Sequence, residues 1–367
     1  MPEHSVSLLF IPDISGFTNF IHQTELRHSQ HIISELLEIL IDANELDMEL
    51  AEIEGDALFF YKFKSLPDYT SIVAQIKKLY LVFHHHLKLY EFKRICQCGA
   101  CTTANNLELK FVVHSGDFNF INVKGQHKPI GESVITVHRL LKNDIPLDEY
   151  VLISENTRAA LNLDLDSTWK MLESNYDHIG NIKYSYREIS SFKKELPRLP
   201  EIVIDNVKKQ LHFSTETEIS QPPIYVYELL SNFKFRRLWN TGLDDLKYDD
   251  SELNQSDVKH TCVIDGKSID FETVKKKGQD GQWVYGEQTL DIPFMNKATT
   301  YYVLKTVGNS TNLRIEVYFE PNGIIGYILF PLIKKKLNKS IEDSIVKIKE
   351  IADKFSLEDL YVQNEQE

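Results

Sequence analysis

Phe10-Ile11-Pro12-Asp13-Ile14-Ser15-Gly16-Phe17-Thr18 is the stretch on which the reading of the N-terminal half turns. Val6 to Pro12 is an apolar run of strand length, and the residues after it open a long helical pattern over Ser15 to Ala43. A carboxylate, Asp13, is therefore expected where a strand gives way to a helix. The free backbone N–H groups of that helix start, around Gly16, Phe17 and Thr18, suit phosphate oxygens.

Working outward, Glu52-Ile53-Glu54-Gly55-Asp56 joins two apolar segments through a Gly-Asp turn, within a strand pair expected over Met48 to Phe63. One helical excursion separates Asp13 from Asp56, which allows their strands to lie side by side. Two converging carboxylates repel unless a proton or a divalent cation neutralises them. Farther along, the patterns predict a helix over Asp68 to Phe92, a strand over Leu107 to His114, a helix over Ile130 to Asn143, and strands near Tyr150 and Tyr184. Ser190 to Pro200, with Lys193, Lys194, Pro197, Arg198 and Pro200, breaks the periodicity and reads as the start of a linker.

Length and composition agree with a two-part chain. At 367 residues it exceeds one ordinary core, and 42% hydrophobic with 26% charged residues matches a folded globular protein. Lys+Arg 41 against Asp+Glu 54 gives a net charge of −13, which argues against nucleic acid as a partner. The first residues lack a basic and then apolar leader pattern, so a cytoplasmic location is expected. The run Ile324 to Ile333 is too short for a transmembrane segment.

From Val6 to Ile189 the sequence resembles the class III nucleotidyl (adenylate/guanylate) cyclase catalytic domain. Asp13 and Asp56 stand where that family keeps its metal-binding aspartates, with the Ile14 carbonyl as a further ligand. The resemblance implies two divalent ions, Mg or Mn, and a purine nucleoside triphosphate as partner. Leu109 to Gly116 resembles the strand in which Lys110 takes the place of a triphosphate-binding Arg. Gly131 to Leu140 resembles the helix that carries a charge-stabilising Arg, here Arg139, and a ribose-orienting Asn, replaced here by Ile135. Glu52 and Lys128 fall at the purine-reading positions, and Lys183 at that of the transition-state Lys. The resemblance also implies a head-to-tail homodimer, because family sites are completed by two such domains. Since Ile135 donates no hydrogen bond, a catalytically inactive nucleotide-sensing module stands beside the cyclase reading.

Cys96, Cys98 and Cys101 are crowded together, and with His84, His85 or His86 as a fourth donor they suit zinc or an iron–sulfur cluster. His84 is the ligand expected first. Cys262 reads as a small core residue.

The C-terminal half predicts a strand over Gln210 to Ser220, short helices over Pro222 to Trp239, alternating strands over Lys247 to Tyr318 and a helix over Gly323 to Phe355. From Leu211 to Phe355 that order resembles the START/Bet v 1-like (SRPBCC) superfamily, which implies a helix-grip antiparallel sheet around a small hydrophobic ligand. Trp239, Phe271 and Trp283 are then pocket candidates. The expected class is α+β in two domains: a ferredoxin-like α/β sandwich of the cyclase type over residues 1–190, and the SRPBCC/START-like domain over 207–356. Residues 191–206 are the expected linker and 357–367 a C-terminal tail. A third reading makes the second domain the ligand carrier and the first a dimerisation scaffold.

Overall fold

The computed structural model describes residues 6–24, 26–176, 179–199, 211–249, 255–276 and 281–364. It divides into two compact units, residues 1–91 with 99–200 and residues 92–98 with 201–367. The expected linker falls partly on 200–210, which lies outside the described residues.

In the first unit β1 (Ser7–Ser15) leads to helices α1 (Phe17–Gln23) and α2 (Leu26–Asp42), then to the hairpin β2 (Glu49–Glu54) and β3 (Ala57–Lys62). Helices α3 (Tyr69–Lys93) and α4 (Gly99–Thr103) precede β4 (Glu108–Gly116), the hairpin β5 (Asn119–Val123) and β6 (Gln126–Ile130), and α5 (Glu132–Leu140). Strand β7 (Tyr150–Ser154), α6 (Glu155–Ala160), β8 (Lys170–Tyr176) and β9 (Gly180–Glu188) complete it. The sheet order is β2-β3-β1-β4-β7-β9-β8. Its first four strands, with α2 and α3 as crossovers, form the expected ferredoxin-like core.

All nine residues of β1 are buried, because β3 and β4 flank it and both faces are covered. Leu9 and Ile11 share a cluster with Phe59, Val112, Val137 and Leu140, so α5 packs on that face. Each such fully buried side chain contributes about 1.5–3 kcal/mol.

Two local expectations are corrected. β1 runs through Asp13 to Ser15 rather than stopping at Pro12, since Asp13 pairs with Lys110 and Ser15 with Glu108 across β4. The helix expected over Ser15 to Ala43 is two helices, with Thr24 extended at the end of the first.

The second unit starts with β10 (Leu211–Ile219), α7 (Pro223–Ser231) and α8 (Arg236–Trp239). Strands β11 (Asp245–Tyr248), β12 (Lys259–Ile264), β13 (Lys267–Thr273), β14 (Gln282–Thr289), β15 (Met295–Val307) and β16 (Ser310–Pro321) follow, then α9 (Gly323–Lys354) and α10 (Leu357–Asn364). The sheet is an antiparallel meander closed at one edge by the first strand, in the order β10-β16-β15-β14-β13-β12-β11. The stretch expected to be a tail carries α10, anchored by buried Leu360 and by the Tyr361 hydroxyl, which donates to Glu228 at 2.6 Å. Arg236 and Glu287 form a fully buried ion pair in this unit, with the Tyr285 hydroxyl also donating to Glu287. Among the described residues, no helix is long and apolar enough to cross a membrane.

Candidate functional site

The two aspartates meet because a hairpin is folded against a central strand. Asp13 lies across from Ala57, and the Ile14 amide donates to the Asp56 carbonyl at 3.0 Å. That bond ties the β2–β3 turn to β1. Gly55 holds the turn at φ +69°, a left-handed conformation that strains a side-chain-bearing residue.

Side chains alternate along a strand, so Asp13 shares the face of Leu9 and Ile11, and Lys110 that of Val112. The register then sets Lys110 Nζ 2.9 Å from Asp13 Oδ2. Burial works against the Lys110 charge, but Asp13 outweighs it and holds the ammonium above its usual range. Burial, and next the neighbouring Asp13 charge, push the Asp56 carboxyl up to about 6. One ammonium therefore leaves this carboxylate pair incompletely neutralised. Two carboxylates this close are oxygen donors of the kind that suits a hard divalent cation.

Lys128 on β6 reaches Glu52 on β2 at 3.6 Å, so the two expected purine readers are brought together with both side chains half exposed. His138 of α5 meets Glu54 of β2 at 3.2 Å and packs edge-on against Phe59. Ile135 and Arg139 lie four residues apart on one face of α5, and Ile135 is 52% exposed. Lys183 sits on β9 opposite Glu173 in the β8–β9 pair. Gly16, at φ +87°, precedes α1, with Phe17 and Thr18 in its first turn.

His84 does not join the cysteines. It lies 2.9 Å from Glu149, which also takes the Tyr80 hydroxyl at 2.5 Å, while Lys193 reaches Glu108 at 2.7 Å and Glu149 at 2.9 Å. Burial, and then the hydrogen bond it donates to Glu149, raise Glu108 to about 7. Lys193 already supplies a cation to these two carboxylates. The cysteine run instead finds His28: Cys101 Sγ is 3.4 Å from His28 Nδ1 and 3.1 Å from the Tyr90 hydroxyl. His28, Cys96, Cys98 and Cys101 are all buried. No local spacing could single out His28, which is far from the cysteines in the chain.

In the second unit the expected pocket residues are engaged separately. The Trp239 indole donates to the Leu229 carbonyl at 2.7 Å, Trp283 packs edge-on against Tyr227, and Phe271 stacks on His260. A cleft of 460 Å³ in the first unit is lined by Leu147, Lys170, Tyr186, Arg187 and Phe192 among others, and includes none of the expected site residues.

A family described as "Protein of unknown function (DUF2652)" matches residues 33–150. The "Uncharacterized protein Rv2561/Rv2562" of Mycobacterium tuberculosis is 29% identical over 161 residues, which are 43% of this chain and 74% of that protein. Solved structures similar over about half the chain are guanylyl and adenylyl cyclase domains. The catalytic core of a rhodopsin-guanylyl cyclase with converted specificity, in complex with ATPalphaS, is 14% identical, with 49% of this chain and 94% of that one covered and a TM-score of 0.37. The guanylate cyclase domain of RhGC from Catenaria anguillulae, in complex with GTP, is 13% identical, with 50% and 96% covered and a TM-score of 0.37.

Proposed function

We propose that the first unit binds a purine nucleoside triphosphate together with a divalent cation, and that it serves as a nucleotide-sensing module rather than an efficient cyclase. The observation that carries this reading is the convergence of Asp13 and Asp56, whose mutual repulsion Lys110 only partly relieves. Asp13, Asp56 and the Ile14 carbonyl would hold Mg or Mn, and such a cation would neutralise triphosphate charge. Lys110 adds a fixed positive charge for phosphate, and the Glu52–Lys128 pair offers both an acceptor and a donor to a base edge.

Ile135 weighs against turnover. An aliphatic side chain cannot orient a ribose hydroxyl, and loss of one such donor costs about 10²–10³ in rate. Arg139 on the same helix face would meet nucleotide contributed across a homodimer, which is the assembly we infer from the sequence resemblance. For the second unit we propose a carrier of a small apolar ligand, with Trp239, Phe271 and Trp283 in its aromatic interior.

The test is equilibrium binding of GTP and ATP to the full chain with and without Mn²⁺, alongside chromatography for cyclic product, with Asp13→Ala as control. Metal-dependent binding lost in the variant, with little or no product, is the expected result. Nucleotide binding that is indifferent to both the metal and Asp13 would overturn the reading.

A further inference from the structure

The start of α9 leaves most of its apolar side chains uncovered. Ile324, Ile325, Tyr327, Ile328 and Leu332 are all more than half exposed, in a helix whose later turns bury Ile341, Ile348 and Ile351. The connection between β14 and β15 adds to the same end: Phe294 is half exposed, and its carbonyl accepts the Asn322 amide at 2.9 Å just before the helix begins. Leu290, in the same connection, is also exposed. Exposed apolar groups gathered at one end of an element mark a contact surface.

Charge says what that surface meets. Residues 321–341 contain no Asp or Glu but carry Lys334, Lys335, Lys336 and Lys339, in a chain whose net charge is −13. These lysines follow the apolar turns directly. At 1.5 Å per residue, Lys335 lies about 10 Å along the axis from Ile328, so the apolar and the charged groups are neighbours on one stretch of helix. Helical side chains lean toward the N-terminus, so lysines at these positions lean toward the apolar end. Lys334 passes over the Phe213 ring, and Lys336 makes a fully solvated pair with Asp265, which an anionic surface can replace. A second copy of the chain fits this face less well, since isologous pairing would bring two lysine clusters together with no acid between residues 321 and 341 to meet them.

We propose that the start of α9 and the Phe294 connection dock on the surface of an anionic lipid bilayer. The apolar side chains enter the boundary of head groups and acyl chains, and Lys334, Lys335 and Lys336 meet lipid phosphates. The segment lies at the surface and does not span it, for its apolar run is half the length a crossing needs.

The full chain is sedimented with phosphatidylcholine vesicles, with and without phosphatidylserine, in low and in high salt. Binding is expected to the phosphatidylserine vesicles, weakened by salt, lost in I328D/L332D and reduced about fivefold for each of Lys334, Lys335 and Lys336 changed to Gln. Because all five side chains are solvent-facing, circular dichroism of the variants should match the parent. Absence of binding to phosphatidylserine vesicles overturns the proposal, as does binding that I328D/L332D leaves intact. Equal binding to both vesicle types removes the role given to the lysines. A parent dimer that I328D/L332D makes monomeric, without lipid binding, assigns the face to a second copy instead.

Discussion

Replacing Asp56 with asparagine removes a charge that the fold disfavours. Burial and Asp13 raise this carboxyl from 3.8 to about 6. The folded-state value lies above the unfolded one, so the group favours folding only while protonated: its contribution is present below 3.8 and lost as the pH rises through about 6. Two pH units at about 1.4 kcal/mol each set a ceiling near 3 kcal/mol. Partial exposure screens the charge, and about 1–2 kcal/mol is the expected effect. In urea unfolding of the full chain, Asp56→Asn should be more stable than the parent by that amount at about pH 8, with the difference closing toward pH 4. Saturating Mn²⁺ should then favour the parent, by about 2.7 kcal/mol at a hundredfold excess over its dissociation constant, and leave the variant unmoved. A stability difference independent of pH would refute the repulsion argument. Equal stabilisation of both proteins by Mn²⁺ would refute the cation site.

Three further outcomes follow from the structure. Ile135→Asn, on an exposed helix position, restores a donor beside Arg139 and should raise cyclic product from GTP or ATP by about 10²–10³; unchanged turnover with intact nucleotide binding would show that the donor is not what is missing. Arg236→Met strands the buried Glu287 charge and should cost about 3–5 kcal/mol in urea unfolding, whereas R236M/E287L should cost less than that single change; additive losses would contradict a buried pair. Elemental analysis of protein purified under reducing conditions should find about one zinc per chain, and none in Cys98→Ser, if the thiol cluster holds metal as tetrahedral sites do.

Strand-forming apolar runs and Gly turns made most of the first unit legible. The Asp13 and Gly55-Asp56 motifs stand out because each interrupts such a run, and the β1–β3 pairing they implied is present. Register was less accessible. That Lys110 lies directly opposite Asp13 depends on how β4 aligns with β1, a relation between residues far apart in the chain. The β5–β6 hairpin was missed, although Lys124-Gly125 and the alternation of Phe120 and Asn122 were there to be read. Proximity along the chain suggests His84 as the partner of the cysteines, but α3 points it toward Glu149 just before β7, and long-range packing brings His28 to Cys101 instead. In the second unit the element order was readable from alternation, while α10 was passed over because its polar residues conceal an apolar face of Leu360 and Tyr361.

Strand β1, sealed on both sides by neighbours and buried along its whole length, gives the two ends of the candidate site unequal freedom. Asp13 cannot shift without disturbing the centre of the sheet, so the carboxylate end behaves as the fixed jaw of a vice. Glu52 and Lys128 belong to an outer strand and a solvent-facing hairpin, where a change of rotamer or twist disturbs little packing. Substitutions at that rim can therefore accumulate at little cost in packing, while any change at Asp13 is felt through the centre of the sheet.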